Sequence, residues 1–227
     1  MNVIRGLDSP GLPLTRSVLT VGNFDGVHRA HLELLRRGRL LASTRNAALV
    51  VLTFEPHPLT VVAPEKAPPR LCSLDDKLRY LQEGGADTVV VARSEPALLT
   101  LEAEAFVEEV LIRRFHPTDI VEGPSFGFGR GRKGTPKLLH DLAAQHGYRM
   151  HGVEQVSVDL GDGRTTPVSS SLTRTLLAEG KVELAALCLT RQRPVSISSR
   201  PHDYRRPVPN IHRPDPLYQP YGSSHDK

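Results

Sequence analysis

The sequence predicts a doubly wound α/β fold: a mostly parallel, Rossmann-like sheet with helices on both faces. Three observations predict it. Short runs rich in Val, Ile and Leu recur along the chain as "SVLTVGNF", "AALVVLTF", "ADTVVVA", "TDIVEG" and "YRMHGVEQVSV". Segments with helical spacing lie between them. The runs are continuous rather than alternating, the pattern of strands buried on both faces. Such strands, alternating with amphipathic helices, define a parallel sheet covered on each side.

Taken in order, residues 1–16 read as a lead-in and residues 17–189 as one domain. "VLTVGNF" is the first strand, and "GVHRAHLELLRRG" is the turn into the first helix, residues 28–44. The second strand ends in "FEPHP", whose two prolines forbid a helix start and make a rigid corner. Helices are expected over 74–83, 102–115 and 136–146. Glycines in "LQEGGAD" and "AAQHGY" stop two of them. "YRMHGVEQVSV" reads as the last strand, and a helical pair over 169–189 breaks at Gly180. Residues 190–227 are Pro-rich with few aliphatics. Such a segment cannot bury enough apolar surface to offset its ordering entropy, so a disordered or extended tail is expected, with a strap docked across the domain as the alternative.

Bulk properties narrow the function. At 227 residues with 39% hydrophobic and 24% charged residues, the chain can build a real core. A net charge of +4 suits a protein that handles phosphates. Aromatic residues are only 5%, with no Trp, which argues against base-stacking platforms and a nucleic-acid partner. Cys72 and Cys188 belong to no CxxC or Cys/His cluster, so neither a disulfide framework nor structural zinc is expected. No stretch approaches the roughly 18 apolar residues of a membrane span. The N-terminus lacks a signal-peptide pattern. The expectation is a cytoplasmic protein with no membrane partner; oligomeric state is not legible.

The chemistry concentrates in "VGNFDGVHRAH", Val21 to His31. His28 and His31 fall three apart, on one face of the first helical turn. Helix N-termini offer unpaired N–H groups and a positive dipole end, which suits phosphate. Two imidazoles there can donate to a phosphoryl oxygen as charge builds. Gly22 and Gly26 let the backbone approach a nucleotide. An isolated His at a helix start is more often a surface or capping residue, and a metal pair would need a third ligand that is not apparent nearby. The strand–turn–helix context favours the phosphate reading. In "SSSLTR", Ser169–Ser171 can cap a helix and present hydroxyls, and Arg174 can hold phosphate bidentately; an ordinary cap with a solvated Arg is the alternative.

Four strings resemble, in order, the adenylyltransferase module of bacterial bifunctional riboflavin kinase/FMN adenylyltransferases, within the HxGH nucleotidyltransferase superfamily. They are "GNFDGVH" with its following histidine, "FEPHP", "EGPSFGFGRGRKG" and "VSSSLTRTLLAEGKVELA". The resemblance covers residues 17–189. It implies transfer of AMP from ATP to FMN, giving FAD and pyrophosphate, with Mg²⁺ accompanying ATP rather than held by a protein metal site. It implies that His28 and His31 are catalytic. Gly22, Phe24, Asp25, Gly26, Ser125, Ser170, Ser171 and Arg174 would bind ATP or its phosphates. Pro56, His57, Pro58, Phe126 and Phe128 would form the flavin pocket. Arg130, Arg132 and Lys133 could hold phosphate or form a solvated loop. Two positions depart from the family: Ala30 where it has Gly, and Ser125 where it has Asp or Asn. No kinase motif follows, so no riboflavin kinase activity is expected. A silent flavin- or nucleotide-binding relative, or a nucleotidyltransferase with another acceptor, is the alternative.

Overall fold

Side chains of a strand point alternately to the two faces of its sheet, and in this chain both sets are apolar. In the computed structural model, which describes residues 1–12, 14–161 and 163–189, Val50, Leu52 and Phe54 enter one core layer while Leu49 and Val51 enter the other. Among the described residues, six strands form one parallel sheet: β1 (Asn2–Arg5), β2 (Ser17–Val21), β3 (Ala48–Glu55), β4 (Thr88–Arg93), β5 (Pro117–Glu122) and β6 (Arg149–Gly152). Their order is β1-β4-β3-β2-β5-β6. The expected doubly wound parallel sheet is what the chain forms.

Helix α1 (Arg29–Arg45) follows β2. The one-turn α2 (Leu59–Val62) and α3 (Leu74–Glu83) precede β4. After β4 come α4 (Pro96–Leu99), α5 (Ala103–Ala105), a π-helical stretch (Phe106–Ile112) and α6 (Arg113–Phe115), the last three running on as one helical segment. Then follow α7 (Pro136–His146), α8 (Ser170–Ala178) and α9 (Val182–Leu189). Leu35, Leu41, Leu78 and Leu81 of α1 and α3 cover one face of the sheet. Phe106, Val110, Phe115 and Leu139 cover the other. Truncating one such buried side chain to Ala typically costs about 2–5 kcal/mol, so these two layers hold the strand ends rigidly. Ser73, Thr135 and Ser169 cap α3, α7 and α8 through side-chain oxygens that accept N–H groups at 3.0, 3.3 and 3.1 Å.

Three expectations are corrected. The lead-in is structural: β1 pairs in parallel with β4, Val3 opposite Val89, and forms the sheet's edge. Four residues are too few to display a period. "YRMHGVEQVSV" is two strands, because the chain leaves the sheet after β6. The antiparallel hairpin β7 (Ser157–Asp159) and β8 (Thr165–Pro167) instead packs Val158 and Val168 with Leu176, Ala185 and Cys188. A helix does start at "FEPHP": Pro58 is the N-cap of α2. Proline is tolerated there because its missing N–H would have had no intrahelical partner. The expectation for residues 190–227 lies outside the described residues.

The chain leaves β2 toward β3 on one side, and β5 with β6 lies on the other. In sheets of this kind the crevice at that reversal, beyond the carboxyl ends of the strands, is where ligands bind.

Candidate functional site

Residues 22–28 join β2 to α1 at that reversal. Phe24, Gly26 and Val27 all take left-handed backbone, with φ of 47°, 80° and 41°. For the two non-glycine residues this stores about 1–3 kcal/mol each, and persists only where surroundings over-determine it. They do. Phe24 and Val27 are buried in the core. The Asp25 carboxylate accepts the Leu71 N–H at 3.1 and 3.2 Å, the Cys72 thiol at 3.8 Å, and Nη2 of Arg174. Ser170 Oγ donates to the Asp25 carbonyl at 2.9 Å, and the Gly26 N–H donates to Cys72 Sγ at 3.3 Å. A Cβ on Gly26 would lie 3.0 Å from Leu71 and 3.2 Å from Leu189. Asp25 is thus the knot that ties this turn to α8 and to the segment before α3.

The knot presents two histidines. His28 is the N-cap of α1, and its ring stacks on His31 with centroids 3.6 Å apart and planes 13° apart. Phe24 packs against His31, with ring centroids 4.8 Å apart. The His28 backbone N–H donates to His31 Nδ1 at 3.3 Å. The neutral His31 ring therefore carries its proton on Nε2, as a donor. Burial pushes His28 down to about 4, and burial with the neighbouring His28 pushes His31 well below the usual histidine range. Both rings are neutral donors at pH 7. His28 Nδ1 is buried with no partner among the described residues.

Asn23, Asp25, Glu55, His57, Arg70 and Lys77 line a cleft beside this turn. His57 Nδ1 accepts the Leu59 N–H at 3.2 Å, so Nε2 holds the proton of the neutral ring. Nε2 lies 3.1 Å from the Asn23 side-chain amide, which must meet it with its oxygen. Burial lowers His57 as well. Glu55, buried at the end of β3, pairs with Arg70 at 2.5 Å and Lys77 at 3.5 Å. Two cations share the Glu55 carboxylate, and with Asp25 the charged side chains lining the cleft balance two against two.

Of the other expected residues, Arg174 is committed: Nε donates to the Pro69 carbonyl at 2.7 Å and Nη2 to Asp25. Ser171 is exposed in the first turn of α8. Gly22 lies at the end of β2, its N–H on Leu52 O at 3.0 Å. Ser125 is exposed, and its carbonyl accepts from Arg132 at 3.1 Å. Phe128 is buried in the core against Phe106, with ring centroids 5.7 Å apart. Phe126, half-buried, stacks on Phe128 at 5.3 Å. Pro56 and Pro58 flank His57, and the Pro56 carbonyl accepts from Ser94 Oγ at 2.5 Å. Among the described residues no three His, Cys, Asp or Glu side chains gather to hold a metal.

Sequence reasoning missed Asn23, Glu55, Arg70 and Lys77. Asn23 and Glu55 stand inside strings singled out for other residues. Arg70 and Lys77 carry no local pattern and meet Glu55 only through the fold.

The architecture is a parallel, doubly wound α/β fold. The chain belongs to the FAD synthetase family, whose model matches residues 13–171. It is 35% identical over 201 residues to the bifunctional riboflavin kinase/FMN adenylyltransferase of Escherichia coli strain K12, covering 88% of this chain and 62% of that protein. It is 31% identical over 176 residues to the protein of the same name from Bacillus subtilis, covering 77% and 53%. The chain thus spans between about half and two thirds of the length of these relatives. Among solved structures, one described as a macrolide-efflux protein from Streptococcus pneumoniae superposes with a TM-score of 0.70 at 24% identity, covering 83% of this chain and 61% of that one. A pantoate-beta-alanine ligase from Francisella tularensis gives 0.51 at 10% identity, covering 85% and 80%. These two likenesses concern the fold alone. Among the described residues no helix is long and apolar enough to cross a membrane.

Proposed function

We propose that this chain is an FMN adenylyltransferase: it transfers AMP from ATP to the phosphate of FMN, giving FAD and pyrophosphate. The observation that carries the reading is the stacked, neutral pair His28–His31 at the N-terminus of α1. In the reaction a phosphate oxygen of FMN attacks the α-phosphorus of ATP. The bond from that phosphorus to the bridging oxygen breaks, and pyrophosphate leaves. No covalent nucleophile is needed; the protein positions two anions and stabilises charge spreading over phosphoryl oxygens. Nε2–H of His31 and the His28 ring donate to those oxygens, and the open first turn of α1 adds backbone N–H groups. Neutral rings suit this work, because two stacked imidazolium ions would repel each other. Arg70 and Lys77 stand in the neighbouring cleft, where the Asn23 side-chain NH2, left over from its contact with His57, offers a hydrogen bond to a flavin. Mg²⁺ would enter with ATP.

Incubating the protein with ATP, Mg²⁺ and FMN and resolving FAD and pyrophosphate chromatographically tests the reading. A second reading, a relative with another acceptor or with binding only, draws on Ala30 and on the exposed Ser125. Screening acceptors for pyrophosphate release separates the two. The proposal does not extend to the kinase half of the relatives' name, and a cytoplasmic location remains part of it.

A further inference from the structure

Glu122 is the last residue of β5. Pairing of β2 with β5 ends at Leu19 opposite Ile120. Beyond that point Gly22 follows β3, its N–H on the Leu52 carbonyl, while β5 stays with β6. Val21 therefore lies at a fork. Its N–H is taken not by a strand carbonyl but by the Glu122 side chain, whose Oε1 accepts it at 2.5 Å and lies 3.5 Å from the Thr20 hydroxyl. Glu122 is only 1% exposed, and its hydrogen bonds to Val21 and Thr20 both use Oε1, which leaves Oε2 available to a ligand. The fork is also the crevice where ligands of such sheets bind.

We propose that Glu122 is a ligand-contacting residue, Oε2 hydrogen-bonding a hydroxyl of a sugar or polyol chain seated at the β2–β5 fork. Resting on the adenylyltransferase reading, this assigns the residue either to the ribose of ATP or to the ribityl chain of FMN, which share that chemistry. Burial raises Glu122 well above the usual carboxylate range. A protonated carboxyl both donates and accepts, as does a hydroxyl. A point charge for binding phosphate would be badly placed here; a hydroxyl partner is well matched. Carboxylates that read ribose hydroxyls are a recurrent device of dinucleotide-binding sheets.

Calorimetric titration tests it, with ATP, 2′-deoxy-ATP, 3′-deoxy-ATP, FMN and an FMN analogue with an alkyl chain replacing the ribityl hydroxyls. The wild type should lose at least tenfold in affinity with one of the deoxy probes. In Glu122→Val that penalty should fall below twofold. Loss on a deoxy nucleotide places ribose at the fork, and loss on the flavin analogue places ribityl there. Should Glu122→Val not fold, Glu122→Gln keeps an oxygen for Val21 but replaces the carboxyl hydroxyl, and the penalty should change at least threefold. Equal discrimination by wild type and variant against every probe overturns the proposal. Because binding is measured apart from turnover, loss of FAD synthesis with hydroxyl discrimination intact would sink the adenylyltransferase reading alone. Absence of binding by both ATP and FMN would sink both.

Discussion

His28 and His31 lie ring on ring, 3.6 Å between centroids, at the point where β2 turns into α1. Neither ring supports the sheet; each faces a neighbour that only a strained, tightly tied turn could place there. Replacing His28 with Ala should lower adenylyl transfer by at least about 10²-fold, the usual cost of losing one donor to a developing oxyanion. FMN affinity should change little. Parallel turnover and titration measurements check this.

The pair also predicts a pH response. His28 is held down to about 4 by burial, so it stays neutral from pH 8 to below 6. Its folded value lies below its unfolded one, so its contribution to stability is present above about pH 6.5 and is lost as pH falls toward 4. Urea unfolding at pH 7 and pH 5 should show a lower midpoint at pH 5. His28→Gln should reduce that difference.

Arg174 ties α8 to the turn through Asp25 and the Pro69 carbonyl. Arg174→Lys should fail to restore what Arg174→Ala loses, because an ammonium cannot span both acceptors as the planar guanidinium does. Both variants should raise the KM for ATP severalfold. A lysine variant with wild-type kinetics would contradict the tie.

Gly26 combines left-handed backbone with contact. Gly26→Ala adds steric conflict with Leu71 and Leu189 to the strain of φ +80°. Gly180, at φ +72°, has nothing within 4 Å of an added Cβ. The first variant should lose about 2–3 kcal/mol and the second about 1 kcal/mol, as chemical denaturation will show.

Asp119 is fully buried in β5 and carries Arg149 at 3.1 Å and His151 at 2.8 Å. Burial raises its carboxyl, but the hydrogen bonds from His151 and Arg149 outweigh that and hold it below the usual range. That stability is present above the unfolded carboxylate value and is lost as pH falls through the lowered one. Asp119→Asn should cost about 2–3 kcal/mol at pH 7, below the usual cost of a broken buried pair because the Arg149 guanidinium still reaches water. The cost should shrink on acidification.

The parallel sheet was legible because β3 and β4 are apolar on both faces, a pattern few other folds require. The histidines were legible because their spacing and their place after a strand are local. β1 was missed because four edge residues show no period. The break after Gly152 was missed because Val158 is as apolar as a core residue and only its distant partners, Val168 and Leu176, redirect it. Phe128 reads as a loop aromatic until Phe106 claims it. Glu55, Arg70 and Lys77 are spread over 23 positions of sequence, and only the fold makes them a cluster.

The most direct measurement is FAD and pyrophosphate formation from ATP, Mg²⁺ and FMN by the wild type and by His28→Ala, with FMN titration on both. The account predicts equimolar FAD and pyrophosphate from the wild type, near-complete loss in the variant, and FMN binding in each. Binding without any FAD from the wild type, or full activity in His28→Ala, would contradict it.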